Sequence, residues 1–329
     1  MKVAIIGCGL IGQKRANALG SAQLVACVDK NISNAQTLAD DFSEVDVTDD
    51  WRQIMGRPDI DIIFIATPHH LLAEITGAAV RAHHHVLVEK PAARFTKELD
   101  PIIEVAKQSP SLVRVGFNHR YHPAIRKAHE IFTTGALGKM MFVCGRYGHG
   151  GRLGYEKEWR ANPKISGGGE LIDQGTHLID LARLFLGNFS DISGFAHTYF
   201  WPMPVDDNAF MLLRTDQKQA ASLHVSCTEW KNLFSLEIYG AQAKLHIEGL
   251  GGSYGLEQLS YYKMLPEMGP PETSIWEYPG KDNSWEIEFK EFLEDIHLKR
   301  TPSPGLSDAY AALEVVEKVY AQSGYFFSP

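Results

Sequence analysis

The run KVAIIGCGLIG, residues 2–12, constrains this chain more than any other stretch. A short β-branched segment runs into a glycine-punctuated turn, and helix formers follow. In that setting G-x-G-x-x-G is the turn by which a buried strand enters a helix whose amino terminus receives a diphosphate. Gly7 would make the tight turn, Gly9 would admit the diphosphate, and Gly12 would let helix and strand pack closely. Leu10 and Ile11 lie between them and bring the amides of the first helical turn. Asp29 ends the next apolar run, LVACVD, 20 residues after Gly9. An acid there accepts hydrogen bonds from a ribose and repels a 2′-phosphate, although the neighbouring Lys30 softens that repulsion. The fingerprint predicts NAD in preference to NADP.

Strand and helix signals keep alternating up to about residue 120. DIIFIAT (61–67), HVLVEK (85–90) and LVRVGF (112–117) read as buried strands, with helical stretches near 33–41, 71–82 and 96–108. Such runs separated by helices predict a doubly wound parallel sheet. The rhythm then changes. Helices are expected near 123–135 and 168–187, then alternating segments at 192–200, 209–215, 221–230, 234–240 and 244–249. The Gly- and Pro-rich stretch 249–280 reads as irregular loops or a strand pair, and helices close the chain near 284–298 and from 308 onward. A chain of 329 residues exceeds what one core usually serves. We therefore expect a Rossmann α/β domain over 1–120 and an α+β domain over 121–329, whose largely antiparallel sheet has one open face.

A net charge of −8 argues against nucleic acid or an anionic membrane as partner. No apolar run approaches the ~18 residues of a membrane span, and the N-terminus lacks the features of a signal peptide. Cys8, Cys27, Cys144 and Cys227 are scattered, as suits a reducing cytoplasm.

The segment GGGELIDQGTHLIDLARLFLG (167–187) poses the sharpest question. At about 100° per residue, Glu170, Asp173, His177 and Asp180 share one band of a helix that is otherwise Leu- and Ile-rich. The band is either an ordinary solvated face or the wall of an active site. Lys90, in VEKPAARF, ends a predicted parallel strand, the edge where open α/β sheets gather ligands. It is either a solvated turn residue or a donor to a substrate oxygen. The i,i+4 pair Asp173 and His177 is also a conceivable metal chelate, but no Cys pair or HExxH accompanies it, so no metal is expected. His83, His84 and His85 read as an exposed helix end and turn.

Taken in order, GCGLIG with Asp29, ATPHHLLAEI (66–75), HVLVEKP (85–91), VGFNHRYHPA (115–124) and EWRANPKISGGGELIDQGTHLID (158–180) resemble the Gfo/Idh/MocA oxidoreductases. The resemblance implies that Lys90, Asp173 and His177 meet over the nicotinamide as the catalytic group, and that the peptide before Pro91 is cis. It further implies cofactor contacts from Thr67, His70, Glu89, Lys90, Asn118, Trp159 and Arg160. One departure stands out: His69 and Leu72 occupy positions where relatives often carry Asn and His. An imidazole with an intrinsic pKa of about 6.5 suits the removal of a hydroxyl proton as hydride leaves carbon. Lys90 is the rival carrier of that proton.

RYGHGGRLGYEKEWR (146–160) is glycine-rich, aromatic and basic. It is either a loop that covers the substrate, its basic residues Arg146, His149, Arg152, Lys157 and Arg160 reading an anionic group, or an exposed loop or an arm that grips another subunit. Expected substrate contacts are Lys90, Arg120, Tyr147, His149, Arg152, Tyr155, Asp173 and His177. Asp206, Asp207 and Asn208 either reach the cleft or shape a strand-entry turn. The implied activity is NAD-dependent oxidation of a ring hydroxyl of a sugar, nucleotide sugar or cyclitol. The alternatives are a redox-neutral elimination or glycosidic cleavage and a non-catalytic dinucleotide-binding regulator. The open sheet is expected to pair subunits into a homodimer or homotetramer.

Overall fold

The computed structural model describes residues 1–267 and 269–325. Its first elements are β1 (Lys2–Ile6), α1 (Leu10–Asn17), β2 (Gln23–Val28), α2 (Ile32–Ala39), β3 (Asp46–Thr48), β4 (Ile62–Ile65), α3 (His69–Arg81), β5 (His85–Glu89), α4 (Thr96–Lys107) and β6 (Val113–Gly116). The six strands form one parallel sheet in the order β3-β2-β1-β4-β5-β6. Helical crossovers cover both faces of such a sheet, which is why β4 reads IIFI and is buried throughout. Connectivity reverses between β1 and β4. Ile6 pairs with both Val28 and Ile65, and Ile65 pairs with Val88. That register lines up Gly7, Asp29, Ala66 and Glu89 along one carboxyl edge.

The chain continues with α5 (Pro123–Thr133), β7 (Met140–Gly148), α6 (Pro163–Ser166), α7 (Thr176–Leu186), β8 (Asp191–His197), β9 (Asn208–Arg214), β10 (Ala220–Ser226), β11 (Leu233–Gly240), β12 (Ala243–Glu248), β13 (Glu257–Lys263), β14 (Glu272–Tyr278), α8 (Ser284–Leu298) and α9 (Leu306–Gln322). Strands β7–β14 make a second sheet, ordered β14-β13-β12-β11-β7-β10-β9-β8. Only the β7–β10 pair within it is parallel. Helix α7 packs on β7 and β10, and α5 on β12–β14. Side chains of the other face, among them Phe195, Phe210 and Leu212, are exposed.

Two compact units result. Among the described residues, one comprises Met1–Phe117 and Trp285–Tyr310, and the other comprises Asn118–Ser284 and 311–325. Residues 285–310, expected in the second domain, thus cluster with the first. The physical reason is apolar packing, since Phe289 and Phe292 join the core around Ile5, Leu24, Ile62 and Phe64.

Three further expectations are corrected. Residues 146–148, read as loop, are the end of β7. The helix expected over 168–187 is not uniform: Leu171–Gly175 is a π-helical turn leading into α7. His84, expected exposed, is buried with Nδ1 2.8 Å from the Ile60 carbonyl and Nε2 3.0 Å from that of Met55.

Candidate functional site

The glycine turn of the first unit has little slack. A Cβ on Gly12 would lie 2.0 Å from the Gly7 carbonyl oxygen, whereas one on Gly9 would meet nothing within 4 Å. The backbone is therefore packed tightly beneath the turn and open above Gly9. Gly9 caps α1 without any side-chain hydrogen bond to the first turn, and Leu10 is exposed there. An uncapped helix start of this kind attracts an anion. Asp29 is held in place: Cys8 N–H donates to its Oδ2 at 2.8 Å and Asn31 N–H to its Oδ1 at 2.9 Å. Just beyond β4, Thr67 Oγ1, and in the first turn of α3, His70 Nδ1, are buried without a hydrogen-bond partner. Burial also pulls the His70 imidazole below its usual value, helped by the Arg94 charge. These orphaned polar atoms fit a bound dinucleotide. The Lys90–Pro91 peptide is cis.

Glu89 has other work. Arg15 of α1 donates to it from Nε at 2.7 Å and also pairs with Glu288 of α8 at 2.5 Å. The guanidinium lies 4.4 Å from the Trp285 ring centroid. Burial raises the Glu288 carboxyl, against the lowering effect of Arg15. Glu89 is thus an anchor between α1, β5 and α8.

In the second unit the polar band of residues 170–180 is fully buried, so it is no solvated face. Each member has a partner from another segment. His149 Nε2 lies 3.5 Å from Glu170, Arg160 Nε donates to Asp173 at 2.8 Å, and Arg120 grips Asp180 with Nε at 2.7 Å and a terminal nitrogen at 2.5 Å. His177 stacks on His119, with ring centroids 3.7 Å apart and planes 15° from parallel. The Asp173 charge holds the Arg160 guanidinium above its usual value, despite burial. His149 is also raised, Glu170 outweighing desolvation.

Upstream of the band, Asp206 fixes the turn. Its carboxylate accepts from Gly169 N–H at 2.9 Å, Leu171 N–H at 2.8 Å and the Tyr320 hydroxyl at 2.6 Å. A Cβ on Gly169 would lie 2.0 Å from the Asp206 carbonyl oxygen, so this close approach requires glycine. Asp207 accepts from the amides of Tyr199, Phe200 and Trp201. Asp206 and Asp207 therefore shape the strand-entry turn.

Several residues expected at the site have partners within the chain. The Arg120 guanidinium neutralises the buried charge of Asp180. Asn118 donates through Nδ2 to Ser284 Oγ at 3.0 Å, and its Oδ1 lies 3.2 Å from His119 Nδ1. Tyr155 is buried in an apolar cluster with Trp201, Met203, Val205 and Cys227. His149 accepts the Gly151 N–H on Nδ1 at 3.0 Å, so both ring nitrogens face the chain itself. The three arginines expected to read an anion have acid partners: Arg146 meets Glu229 at 3.0 Å, Arg152 meets Glu158 at 2.7 Å, and Arg160 meets Asp173. Arg160 also lies over the Trp159 ring, 4.6 Å from its centroid. Tyr147 is buried against His119, Phe234 and Tyr254. Sequence reasoning missed His119, Tyr320 and Arg15, none of which has a local signal.

Two family descriptions match the chain: an oxidoreductase-family NAD-binding Rossmann fold over residues 1–117 and a GFO/IDH/MocA C-terminal domain over 125–246. Levoglucosan dehydrogenase of Pseudarthrobacter phenanthrenivorans is 31% identical over 228 residues, 65% of this chain and 58% of its own. D-glucoside 3-dehydrogenase of Escherichia coli is 29% identical over 205 residues, again spanning 58% of the relative and 60% of this chain. Inositol 2-dehydrogenase of Acidothermus cellulolyticus is 25% identical over 328 residues, 95% of this chain and 89% of the relative. Among solved structures, levoglucosan dehydrogenase in complex with NADH and levoglucosan superposes with a TM-score of 0.88 at 25% identity, covering 98% of this chain and 97% of that one.

Proposed function

Because the chain belongs to the Gfo/Idh/MocA oxidoreductase family, we propose that it is an NAD-dependent dehydrogenase that oxidises a ring hydroxyl of a sugar or cyclitol. The observation that carries this reading is the buried Asp173–His177 pair at the entry to α7, with Arg160 fixing Asp173. Bound NAD would supply the hydride acceptor, held by Gly7, Gly9, Leu10, Ile11, Gly12, Asp29, Thr67 and His70. His177 takes the hydroxyl proton. Asp173 grips a neighbouring hydroxyl or orients the imidazole, and Lys90 polarises the reacting oxygen.

The acid partners of Arg146, Arg152 and Arg160 favour a neutral ring over a uronate or nucleotide sugar. The relatives' names, with levoglucosan, glucosides and inositol, support the same class. Among the described residues no helix is long and apolar enough to cross a membrane. We place the protein in the cytoplasm, where its four unpaired cysteines stay reduced. We also propose that the exposed face of the second sheet joins subunits.

The test adds NAD and a panel of levoglucosan, methyl glucosides, myo-inositol, glucuronate and a nucleoside-diphosphate glucose to the purified protein. Stoichiometric NADH with a neutral member is expected. NADH from glucuronate or the nucleotide sugar alone overturns the substrate class. Consumption without net NADH makes the reaction redox-neutral, and silence with NAD bound makes the protein a regulator. His177→Ala is expected to lose turnover by about a thousandfold while NAD still binds; unchanged turnover would move the proton to Lys90.

A further inference from the structure

The segment that carries Asp173 and His177 departs from a regular helix at the point where the chemistry lies. Leu171–Gly175 is a π turn, whose amides reach one residue further back than those of an α-helix. Such a turn rotates the side chains within it relative to those that follow. Asp173 lies inside the turn and His177 just beyond it, in the first turn of α7. The angle between the two is therefore set by whatever holds the π turn.

Asp206, two residues ahead of β9, holds it from upstream. Its carboxylate accepts the Gly169 and Leu171 amides at 2.9 and 2.8 Å, and its carbonyl oxygen accepts the Glu170 amide at 3.0 Å. Three successive amides thus end on one residue, itself wholly buried. Tyr320 of α9 completes the clamp. Its hydroxyl donates to Asp206 Oδ1 at 2.6 Å and accepts the Gly169 N–H at 3.0 Å. A Cβ on Gly168 would lie 2.2 Å from that hydroxyl, so the chain passes Tyr320 with no room for a side chain. The end of α9 is tied in turn to β8. Gln322 donates to the Ile192 carbonyl at 2.9 Å and accepts the Gly194 amide at 3.0 Å, and Ser323 Oγ accepts the Ala196 amide at 2.7 Å. At the downstream end, the Thr176 hydroxyl is shared between the carbonyls of Ile172 and Asp173, at 3.1 and 3.2 Å.

We propose that Asp206 and Tyr320 are positioning residues for the reaction: they fix the π turn and so set the angle at which Asp173 stands to His177. This rests on the reading that His177 takes the hydroxyl proton with Asp173 beside it. Two side chains that serve one ring must keep their mutual geometry, because a displacement of about 1 Å costs about a hundredfold in rate. Neither Asp206 nor Tyr320 needs to touch the substrate to carry that constraint. Asp206 transmits it through the backbone of residues 169–171, and Tyr320 through Asp206.

The test compares Tyr320→Phe and Asp206→Asn with Asp207→Asn, each in the full chain at pH 8. Asp207 is buried as fully as its neighbour and also accepts three amides, but those of Tyr199, Phe200 and Trp201. Its loss is the control for a damaged strand-entry turn. By NMR, exchange of the Gly169, Glu170 and Leu171 amides should quicken about tenfold in Tyr320→Phe and further in Asp206→Asn. The His177 imidazole resonances, assigned from His177→Asn, should shift in those two variants and stay in place in Asp207→Asn. On the panel substrate, kcat should fall about 5- to 20-fold in Tyr320→Phe and about 100-fold in Asp206→Asn, with KM for NAD changed less than about threefold. Asp207→Asn should keep its kcat within about threefold of wild type. Unmoved His177 resonances, or an equal loss of kcat in Asp207→Asn, overturns the proposal. Should Asp206→Asn not fold, Tyr320→Phe decides, since it removes one oxygen and leaves both amide bonds to Asp206. Full turnover by His177→Asn, with the resonances shifted as expected, sinks the proton-carrier reading and leaves the clamp on the turn standing. An inactive His177→Asn beside fully active Tyr320→Phe and Asp206→Asn sinks the positioning role alone.

Discussion

Arg160 Nε meets Asp173 Oδ2 at 2.8 Å, and this contact ties the loop after β7 to the π turn ahead of α7. The two residues are thirteen positions apart, and the carboxylate is almost wholly buried while the guanidinium is partly open to solvent. Removing the arginine takes this cation away from a buried carboxylate. Arg160→Leu should destabilise the fold by about 3 kcal/mol and lower kcat more than KM, because Asp173 would lose its fixed orientation. Arg160→Lys keeps the charge without the planar fork and should recover only part of both losses. Chemical denaturation and steady-state kinetics on the two variants check this.

Asp29 engages both carboxylate oxygens before any ribose arrives, through the amides of Cys8 and Asn31. The acid is therefore pre-positioned beside the glycine turn. Asp29→Ser should raise KM for NAD about tenfold and move the ratio of kcat/KM for NAD over NADP toward unity. An unchanged ratio would remove Asp29 from cofactor selection.

What the sequence makes legible is local chemistry. The turn at Gly7–Gly12 and the acid Asp29 declare themselves because strand, turn and helix follow one another within thirty residues. The parallel sheet is equally plain, since strands such as IIFI are covered on both faces and need no alternation. Strand β7 escaped notice because MMFVCGRYG carries glycines and pairs with β10 and β11, about 80 and 90 residues onward. The π turn is invisible to a fixed 3.6-residue period, so the band of residues 170–180 was legible while its regular geometry was not. Arg120 with Asp180 shows the same limit more sharply: sixty residues separate partners whose pairing only the folded second unit reveals.

Asp206 makes stability depend on pH. Burial pushes its carboxyl up from 3.8 to about 6, despite the donors Tyr320, Leu171 and Gly169. The fold therefore favours the protonated form. Its contribution is complete below about pH 4 and is lost as pH rises through about 6. The shift corresponds to about 3 kcal/mol. Asp206→Asn cannot titrate, and its amide nitrogen would face the Leu171 N–H. The variant should be less stable than the wild type at pH 5, and the gap should narrow by pH 8. Thermal midpoints across that interval, wild type against variant, test the sign; a gap that stays constant would show that Asp206 is not the titrating group.

The exposed face of the second sheet bears Phe195, Phe210 and Leu212, and Phe210 stacks on His224 at 4.2 Å. With Cys144, Ser222 and Glu237 they line an open hollow of about 560 Å³. An apolar surface on a broad sheet gains by meeting its own copy, since a two-fold contact doubles each interaction. Light scattering should give a multiple of the 36.7 kDa chain mass for the wild type. Leu212→Glu combined with Phe195→Glu places like charges on both partners and should return the single-chain mass. A wild-type mass of one chain would rule out the subunit contact, and an assembly indifferent to both glutamates would place it on another surface.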